Sequence, residues 1–240
     1  CAFLYLHTSW QTQLWLGVGI LVAHWLILTQ VPTPGYGQVM LEPGQNVAAW
    51  IDSKFLPGKM WQGTWDPEGI LSTFPAIVSG ITGMLAGRVF RISLLPTERV
   101  AYLMTVGLLT GLCGYVWSLA IPLNENLWTS SFVLLTSGFA ALVLGVMYFL
   151  VDMLDRKRGI GLGLYFGANA ITAYVLADLL AMLFYGVSFG EKSLNTATVD
   201  AMIGLGTAPK LASMLYALLF VGINALPIYW LYRKRIFIKL

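Results

Sequence analysis

The 240 residues are 58% hydrophobic and only 10% charged, and the mean hydropathy is +0.74. Since a soluble domain carries roughly 25% charged residues, this composition excludes an ordinary soluble protein and predicts that lipid is the main solvent. The formal net charge of +3 arises from the loops and therefore does not indicate nucleic-acid binding.

Apolar runs long enough to cross a bilayer, which takes about 20 residues, recur along the chain. Residues 1–6 resemble the tail of a further span, and no cleavable signal peptide is visible. We predict an all-α fold: a polytopic helical membrane protein with about six full transmembrane helices plus the tail of a preceding one. We interpret 1–240 as a single transmembrane domain, the C-terminal part of a longer chain whose other helices pack against it. The runs lie at 12–31, 70–87, 100–121, 128–151, 161–186 and 210–232.

The positive charges alternate between the connecting segments. Ten of the fourteen Lys and Arg residues lie in 87–99, 152–160 and 233–240. The positive-inside rule then predicts that these segments and the C-terminus are cytoplasmic, and that 32–69 and 187–209 are the long outer loops.

Both outer loops contain helical signals. Val47, Trp50, Ile51 and Phe55 have helical spacing before the break at 57–58. This pattern predicts a short amphipathic helix on the outer surface. The second loop is polar and is predicted to hold one short helix near Asp200.

The stretch Asp66-Pro67-Glu68 precedes the run 70–87. Asp66 suits the N-cap, proline suits the first helical position, and Glu68 suits the positive end of the helix. A structural role and a role at a cavity mouth are equally compatible with this pattern. The helix that follows contains Pro75 and a GxxxG pair, Gly83 and Gly87, which predicts close helix packing beside a cavity.

Ionisable and amide groups inside membrane spans are costly and often functional. For His24, a hydrogen bond to a neighbouring helix and a ligand contact remain alternatives. Asp178 lies one turn after Tyr174 on the same face, and it is either packed or lines a cavity. Asn169 needs hydrogen-bond partners in lipid. No cluster of His, Cys, Asp and Glu has metal-ligand spacing, so no metal is predicted.

Aromatic and polar groups gather at the predicted outer face. Tryptophans there form an interfacial belt or stack against a sugar ring. The segment 122–131, PLNENLWTSS, places Asn124, Trp128 and Ser130 at the same edge. These groups could line a hydroxyl-rich site or cap the following helix.

Several stretches of the sequence, taken together in chain order, carry a resemblance to a known family: AAWID, WDPEGILSTFPAI, PLNENLWTSSFVLLTSGFA, YFGANAITAYVLAD and the ending LYRKRIFIKL. They resemble the heparan-α-glucosaminide N-acetyltransferase family, closest to its bacterial, NagX-like members. The resemblance implies a multi-pass enzyme of the inner (cytoplasmic) membrane that uses cytoplasmic acetyl-CoA. It implies transfer of the acetyl group to the amino group of a terminal glucosamine across the membrane.

Two departures from the family pattern affect the site. The membrane-embedded segment with the family's catalytic histidine has no counterpart here, so neither His7 nor His24 receives that role and the catalytic residue is unknown. Relatives commonly have Asn-Lys where this chain has Asn124-Glu125, and they carry an acid at the position of Asp178, which favours a cavity. The residues predicted to bind substrate are Asp66, Glu68, Asn124, Trp128, Ser130, Asn169, Tyr174 and Asp178.

The sequence is also compatible with two rival functions. Broken helices and polar groups within spans also suit an amino-sugar permease, and a packing or assembly module is a further alternative. The amino-sugar or glycan acceptor is not identified by the residues, and whether the protein forms a homodimer is left open.

Overall fold

The computed structural model describes residues 1–189 and 192–238. The chain divides into two compact units, Cys1–Arg156 and Lys157–Leu240, and each is described by itself. The interpretation of 1–240 as one transmembrane domain stays a prediction.

The secondary-structure elements of the first unit are all helices. Local signals set several helix starts: Ser9 accepts a hydrogen bond from the Thr12 N–H at 3.2 Å, and the Glu98 carboxylate accepts one from the Leu95 N–H at 2.8 Å. The helices are α1 Ala2–His7, α2 Trp10–Gln30, α3 Val47–Phe55, α4 Ile70–Val89, α5 Pro96–Trp117 and α6 Ser130–Met147, which a π-helical segment, Tyr148–Met153, extends.

Small residues bring the helices of this unit into close contact. Gly138 of α6 faces the backbone of Gly107 and Gly111 in α5. The GxxxG pair predicted for this purpose, Gly83 and Gly87, is not used in this way, because a Cβ built on either would meet no described atom within 4 Å. Spacing alone does not specify which face of a helix is packed.

The second unit contains a broken helix and a small hairpin. Its β-strands pair antiparallel, with Ser188 opposite Ser193 and Phe189 opposite Lys192. The elements are α7 Gly161–Ala168, α8 Ala170–Gly186, β1 Ser188–Phe189, β2 Lys192–Ser193, α9 Leu194–Gly204 and α10 Pro209–Arg233.

The described residues confirm the predicted fold class, an all-α, multi-pass membrane protein. Within residues 1–189 and 192–238, five helices are long and apolar enough to cross a membrane. The sixth predicted run, 161–186, is not one straight helix, since α7 and α8 meet at 88°. The run counts as a sixth span only if this bent pair is taken together. The five spans are Trp10–Gln30, Ile70–Val89, Pro96–Trp117, Ser130–Met153 and Pro209–Arg233.

Both helices predicted in the outer loops are present. α3 occupies Val47–Phe55, and α9 contains Asp200. The buried face of α3 differs from the predicted one: Phe55 is exposed, whereas Asp52 is buried. Residues 190–191 of the loop 187–209 and residues 239–240 of the ending LYRKRIFIKL lie outside the described residues.

Candidate functional site

The start of α4 is capped by a carboxylate from α3. Asn46 begins α3 by accepting a hydrogen bond from the Ala49 N–H at 2.9 Å. Asp52 then lies on the buried face of this helix and is only 1% exposed. Its Oδ1 accepts a hydrogen bond at 2.8 Å from the N–H of Ile70, which is the first residue of α4. Asp52 therefore fixes where α4 begins.

The prediction that Asp66 is the N-cap of α4 is wrong. The helix begins at Ile70 with Gly69 as its N-cap residue. Asp66 folds the preceding loop instead: its Oδ2 accepts from the Trp61 N–H at 2.9 Å and its Oδ1 from the Glu68 N–H at 3.0 Å. An Asp side chain that bonds to the N–H two residues later forms a turn, and this turn replaces the helical start that the local pattern predicts.

Asp52, Asp66 and Glu68 together form what we call the acidic mouth. Glu68 is exposed, and Asp66 is close enough to Asp52 to affect its titration. In the described part of the chain, none of the three carboxylates pairs with a Lys or Arg side chain. Unpaired carboxylates in one place create a negative potential, so the acidic mouth can attract a cation.

Asp52 is not among the site residues predicted from the sequence. It stands four residues after Ala48 and three after Ala49, both buried on the same face of α3. An acid in line with the small apolar residues of a short helix is the signal that could have identified it.

Burial raises the pKa of the Asp52 carboxyl above its usual value of 3.8; the Ile70 N–H opposes this effect, and the negative charge of Asp66 adds to it. The folded protein therefore holds a proton on Asp52 at a pH where the unfolded chain has lost it. We expect the free energy of unfolding to fall as the pH rises from 3.8 through the raised pKa.

Asp52→Asn should remove this part of the pH dependence, because the amide oxygen still accepts from the Ile70 N–H but does not ionise. The measurement is the unfolding temperature of both proteins in detergent from about pH 4 to pH 7. Glu42→Gln, an exposed acid of the same loop, is the control. Parallel curves for Asp52→Asn and the wild type would contradict the expectation.

A second polar segment, residues 122–130, folds on itself between α5 and α6. Asn124 Oδ1 accepts from the Leu127 N–H at 3.1 Å. Thr129 Oγ1 accepts from the Asn124 N–H at 3.0 Å and donates to the Pro122 carbonyl at 3.0 Å. The side chain of Asn124, predicted to bind substrate, thus closes this turn.

Trp128 and Ser130 tie the start of α6 to two other helices. The indole N–H of Trp128 donates to Ser79 Oγ in α4 at 3.0 Å. The hydroxyl of Ser130, which is fully buried, donates to the Leu21 carbonyl in α2 at 2.7 Å. Trp128 also has a positive φ of 51°, a strained conformation for a large side chain. The polar atoms of both residues are used within the protein.

The acidic mouth and the segment 122–130 lie at the same end of the first unit. One hydrophobic cluster joins the end of α2, the start of α3, the start of α4 and the turn before α6. Trp128 packs against a second cluster, formed by Leu21, Val78 and Val133, and Ser130 bonds to Leu21 of that cluster. Asp66 and Glu68 precede Leu71 of the first cluster, and Asn124 lies in the chain between its members Ile121 and Leu127. The buried members of the first cluster are Leu28, Val47, Ala48, Leu71, Ile121 and Leu127.

His24 is buried in α2 and only 2% exposed. Neither ring nitrogen has a hydrogen-bond partner among the described residues, so the expected bond to a neighbouring helix is not formed. A Cβ built on Gly17 would lie 3.3 Å from Val78, and Leu28 shares a cluster with Leu71. His24 is thus level with the turn of α4 that ends at Pro75.

In the second unit, Asn169 lies at the break between α7 and α8 and is completely buried. Its Nδ2 donates to the Ile236 carbonyl at 3.1 Å, and its Oδ1 accepts from the Ile238 N–H at 3.0 Å. The amide predicted to contact substrate therefore forms hydrogen bonds with the backbone that follows α10. Tyr174 is 67% exposed and Asp178 is exposed on the same face of α8.

Comparisons with known proteins agree with the resemblance. The chain matches no family model. It is 29% identical over 209 residues to heparan-alpha-glucosaminide N-acetyltransferase of Mus musculus, covering 74% of this chain and 31% of that protein. It is 30% identical over 200 residues to the Homo sapiens protein of the same name, covering 70% of this chain and 30% of that protein.

The chain thus spans about a third of the length of these curated relatives. The match nevertheless extends over most of the chain itself. By sequence, this membrane protein belongs to the heparan-alpha-glucosaminide N-acetyltransferase family.

Proposed function

We propose that the chain forms the acceptor side of a transmembrane acetyltransferase. In this proposal the acetyl group of cytoplasmic acetyl-CoA passes to the amino group of a terminal glucosamine on the opposite face. The observation that carries the proposal is the similarity to two relatives whose name states this reaction type, over 74% and 70% of the chain.

The acidic mouth supports an amine as the acceptor. A protonated amino sugar is a cation, and Asp52, Asp66 and Glu68 have no basic partner in the described part of the chain. Charges of opposite sign attract, more strongly near a protein surface than in bulk water. We assign Glu68 and Asp66 to ammonium binding, whereas Asp52 positions them by fixing the start of α4.

The predicted topology also puts the acidic mouth on the side that the reaction requires. It is part of the loop 32–69, and the charge pattern predicts that this loop is outside while the Arg-rich segments are cytoplasmic. The acceptor would therefore meet the acidic mouth directly, and the donor would approach from the other face.

The chemistry then requires positioning and proton removal. The amine nitrogen attacks the thioester carbonyl, the new C–N bond forms, the C–S bond breaks, and the thiol leaves with the proton released by the amine. A base and an oxyanion stabiliser are needed for these steps. We assign neither to this chain, since the catalytic histidine implied by the resemblance has no counterpart among its residues.

The second unit contributes two further candidates. Asp178 and Tyr174 share the exposed face of α8. If α7 and α8 together form a sixth span, an acid on α8 is costly unless it faces a polar partner or water, which supports a cavity-lining role for both. Asn169 supports the break in the helix rather than a ligand, since its amide binds the backbone of residues 236 and 238.

The test uses sealed vesicles of known orientation that contain the full natural chain. Labelled acetyl-CoA is placed on the cytoplasmic face and glucosamine on the other, and the sugar is assayed for label. We expect Glu68→Gln to raise KM for the amine about tenfold with a smaller effect on kcat. Glu42→Gln, which removes an exposed acid elsewhere in the same loop, should change neither value by more than about twofold. Unchanged kinetics in Glu68→Gln would contradict its assignment.

One observation favours the rival permease. The 88° break between α7 and α8 is the kind of discontinuous helix that transporters place at their substrate sites. In the same vesicles, unmodified labelled sugar crossing the membrane in counterflow, without any acetyl donor and without acetylated product, would identify a permease and reject the transferase.

A further inference from the structure

Arg99 occupies an unusual position at the start of α5. It is the fourth residue of this helix and is half-buried. Its Nη1 donates a long hydrogen bond of 3.4 Å to the Tyr148 hydroxyl, and its Nε is enclosed by protein without a partner. A guanidinium has five donors, so most of the hydrogen-bonding capacity of Arg99 is unused in the described part of the chain.

Tyr148 joins three helix ends at this place. It is the first residue of the π-helical segment that extends α6, and its ring lies edge-on to Phe90, the C-cap residue of α4, with the centroids 5.1 Å apart. Single turns of π-helix are rare and frequently occur at functional sites. Among the residues that the structure describes, the Tyr148 hydroxyl accepts from Arg99 and donates to none, so its own proton is available for a hydrogen bond to a ligand.

The surroundings of Arg99 are positive. Arg88 and Arg91 are exposed at the end of α4, and the N-terminal end of α5 adds a partial positive charge. Glu98, the nearest acid in the sequence, already accepts from the Leu95 N–H at 2.8 Å. Across residues 1–189 and 192–238, none of these three arginines forms an ion pair with a carboxylate.

Arg91 is held by a different contact. Its guanidinium lies over the Tyr5 ring, 5.4 Å from the centroid, and donates to the Tyr5 hydroxyl. Arg99 and Arg91 therefore each have a phenol as their partner. A phenol does not neutralise a guanidinium, so the positive charge is left for an anion.

We propose that Arg99 and Tyr148 form a binding site for a phosphate group. The planar guanidinium matches phosphate oxygens in geometry, and a charge-assisted hydrogen bond is about twice as strong as a neutral one. A phosphate bound beside Arg99 accepts hydrogen bonds from its Nη2 and from the Tyr148 hydroxyl. The positive charges of Arg88 and Arg91 attract it to the site.

Two kinds of molecule could supply the phosphate group that this site binds. Coenzyme A carries a diphosphate and a 3′-phosphate, and this source rests on the proposed function. An anionic phospholipid also presents a phosphate at the membrane surface, where basic residues attract it. The charge pattern predicts a cytoplasmic location for this end, which both sources can reach.

The experiment measures binding to the intact protein in a non-ionic detergent. The probes are coenzyme A, phosphatidylglycerol and, as a neutral-headgroup control, phosphatidylcholine, and the readout is the dissociation constant from ligand-dependent thermal stabilisation. The variants are Arg99→Gln, Arg99→Lys and Tyr148→Phe. Arg158→Gln removes one exposed positive charge from the predicted cytoplasmic segment 152–160 and is the matched control.

We expect Arg99→Gln to weaken the binding of one phosphate probe at least tenfold. Tyr148→Phe and Arg99→Lys should weaken it about threefold, because each keeps part of the site. Arg158→Gln should change it by less than twofold. Dependence of coenzyme A binding on Arg99 identifies the donor as the source, and dependence of phosphatidylglycerol binding identifies the lipid.

Unchanged dissociation constants for both phosphate probes in Arg99→Gln would overturn the proposal. If this variant fails to fold, the binding of the phosphate probes to Arg99→Lys and Tyr148→Phe tests the proposal. Unchanged dissociation constants in both of these variants would also overturn it. The vesicle assay separates this failure from that of the proposed function. Acetyl transfer with Arg99-independent binding rejects only the phosphate site, whereas Arg99-dependent binding without acetyl transfer rejects only the transferase.

Discussion

Gly138→Ala is expected to force α5 and α6 apart and to lower the free energy of unfolding by about 3 kcal/mol. A Cβ built on Gly138 would lie 2.6 Å from the Gly107 carbonyl oxygen and 2.6 Å from the Gly111 Cα, and it would also overlap the Gly111 nitrogen. All three are backbone atoms, which cannot rotate away as the end of a side chain can. The clash can be relieved only by moving a helix.

The close approach of the two helices extends beyond Gly138. A Cβ on Gly107 would lie 3.0 Å from the Gly138 carbonyl oxygen, and one on Gly114 would lie 2.9 Å from the Leu135 Cα. In lipid, helices associate through van der Waals packing of such small residues rather than through a hydrophobic driving force. A separation at one glycine therefore weakens contacts along the whole pair.

Two glycines provide matched controls. A Cβ on Gly111 would lie 3.9 Å from the Gly138 Cα, an ordinary contact, and one on Gly83 of α4 would meet no described atom within 4 Å. Gly111→Ala and Gly83→Ala should therefore cost less than about 1 kcal/mol. Denaturant unfolding in mixed micelles gives these free energies. Equal losses in Gly138→Ala and Gly111→Ala would show that the two helices do not pack as described.

The membrane spans could be predicted well from the sequence because length and apolarity determine whether a segment can cross a bilayer. The predicted run 210–232 corresponds to Pro209–Arg233, and 70–87 to Ile70–Val89. The break at Asn169 could not be predicted in this way. Its amide binds the backbone of Ile236 and Ile238, and no local pattern in the continuous apolar run 161–186 indicates a partner so far along the chain.

The acidic mouth shows the same limit. The order Asp66-Pro67-Glu68 draws attention to this segment, but it favours a local cap. The carboxylate that caps α4 comes from Asp52, which precedes Ile70 by 18 residues. Capping rules describe contacts within a few residues, so they cannot identify a cap that tertiary packing supplies.

The second large effect concerns this long-range cap. Gly69→Ala should cost about 1–2 kcal/mol of stability. The backbone at Gly69 has φ −68° and ψ 176°, which alanine adopts without strain, so the cost arises from contact alone. A Cβ there would lie 2.6 Å from the Asp52 Cγ and would overlap the Asp52 Oδ2. The carboxylate must move, and the Ile70 N–H then loses its acceptor.

A double-mutant cycle isolates that contact. Asp52→Ala alone should also cost about 1–2 kcal/mol, because it removes the acceptor of the Ile70 N–H. In the Asp52→Ala protein, Gly69→Ala should cost less than about 0.5 kcal/mol, since the carboxylate that alanine would meet is gone. Additive losses would show that Gly69 and Asp52 act independently. If the coupling is found, the rate of the proposed acetyl transfer in the same variants tests whether the position of the acidic mouth matters. Glu68 lies two residues before the start of α4, so a shifted cap should raise KM for the amine more than it lowers kcat.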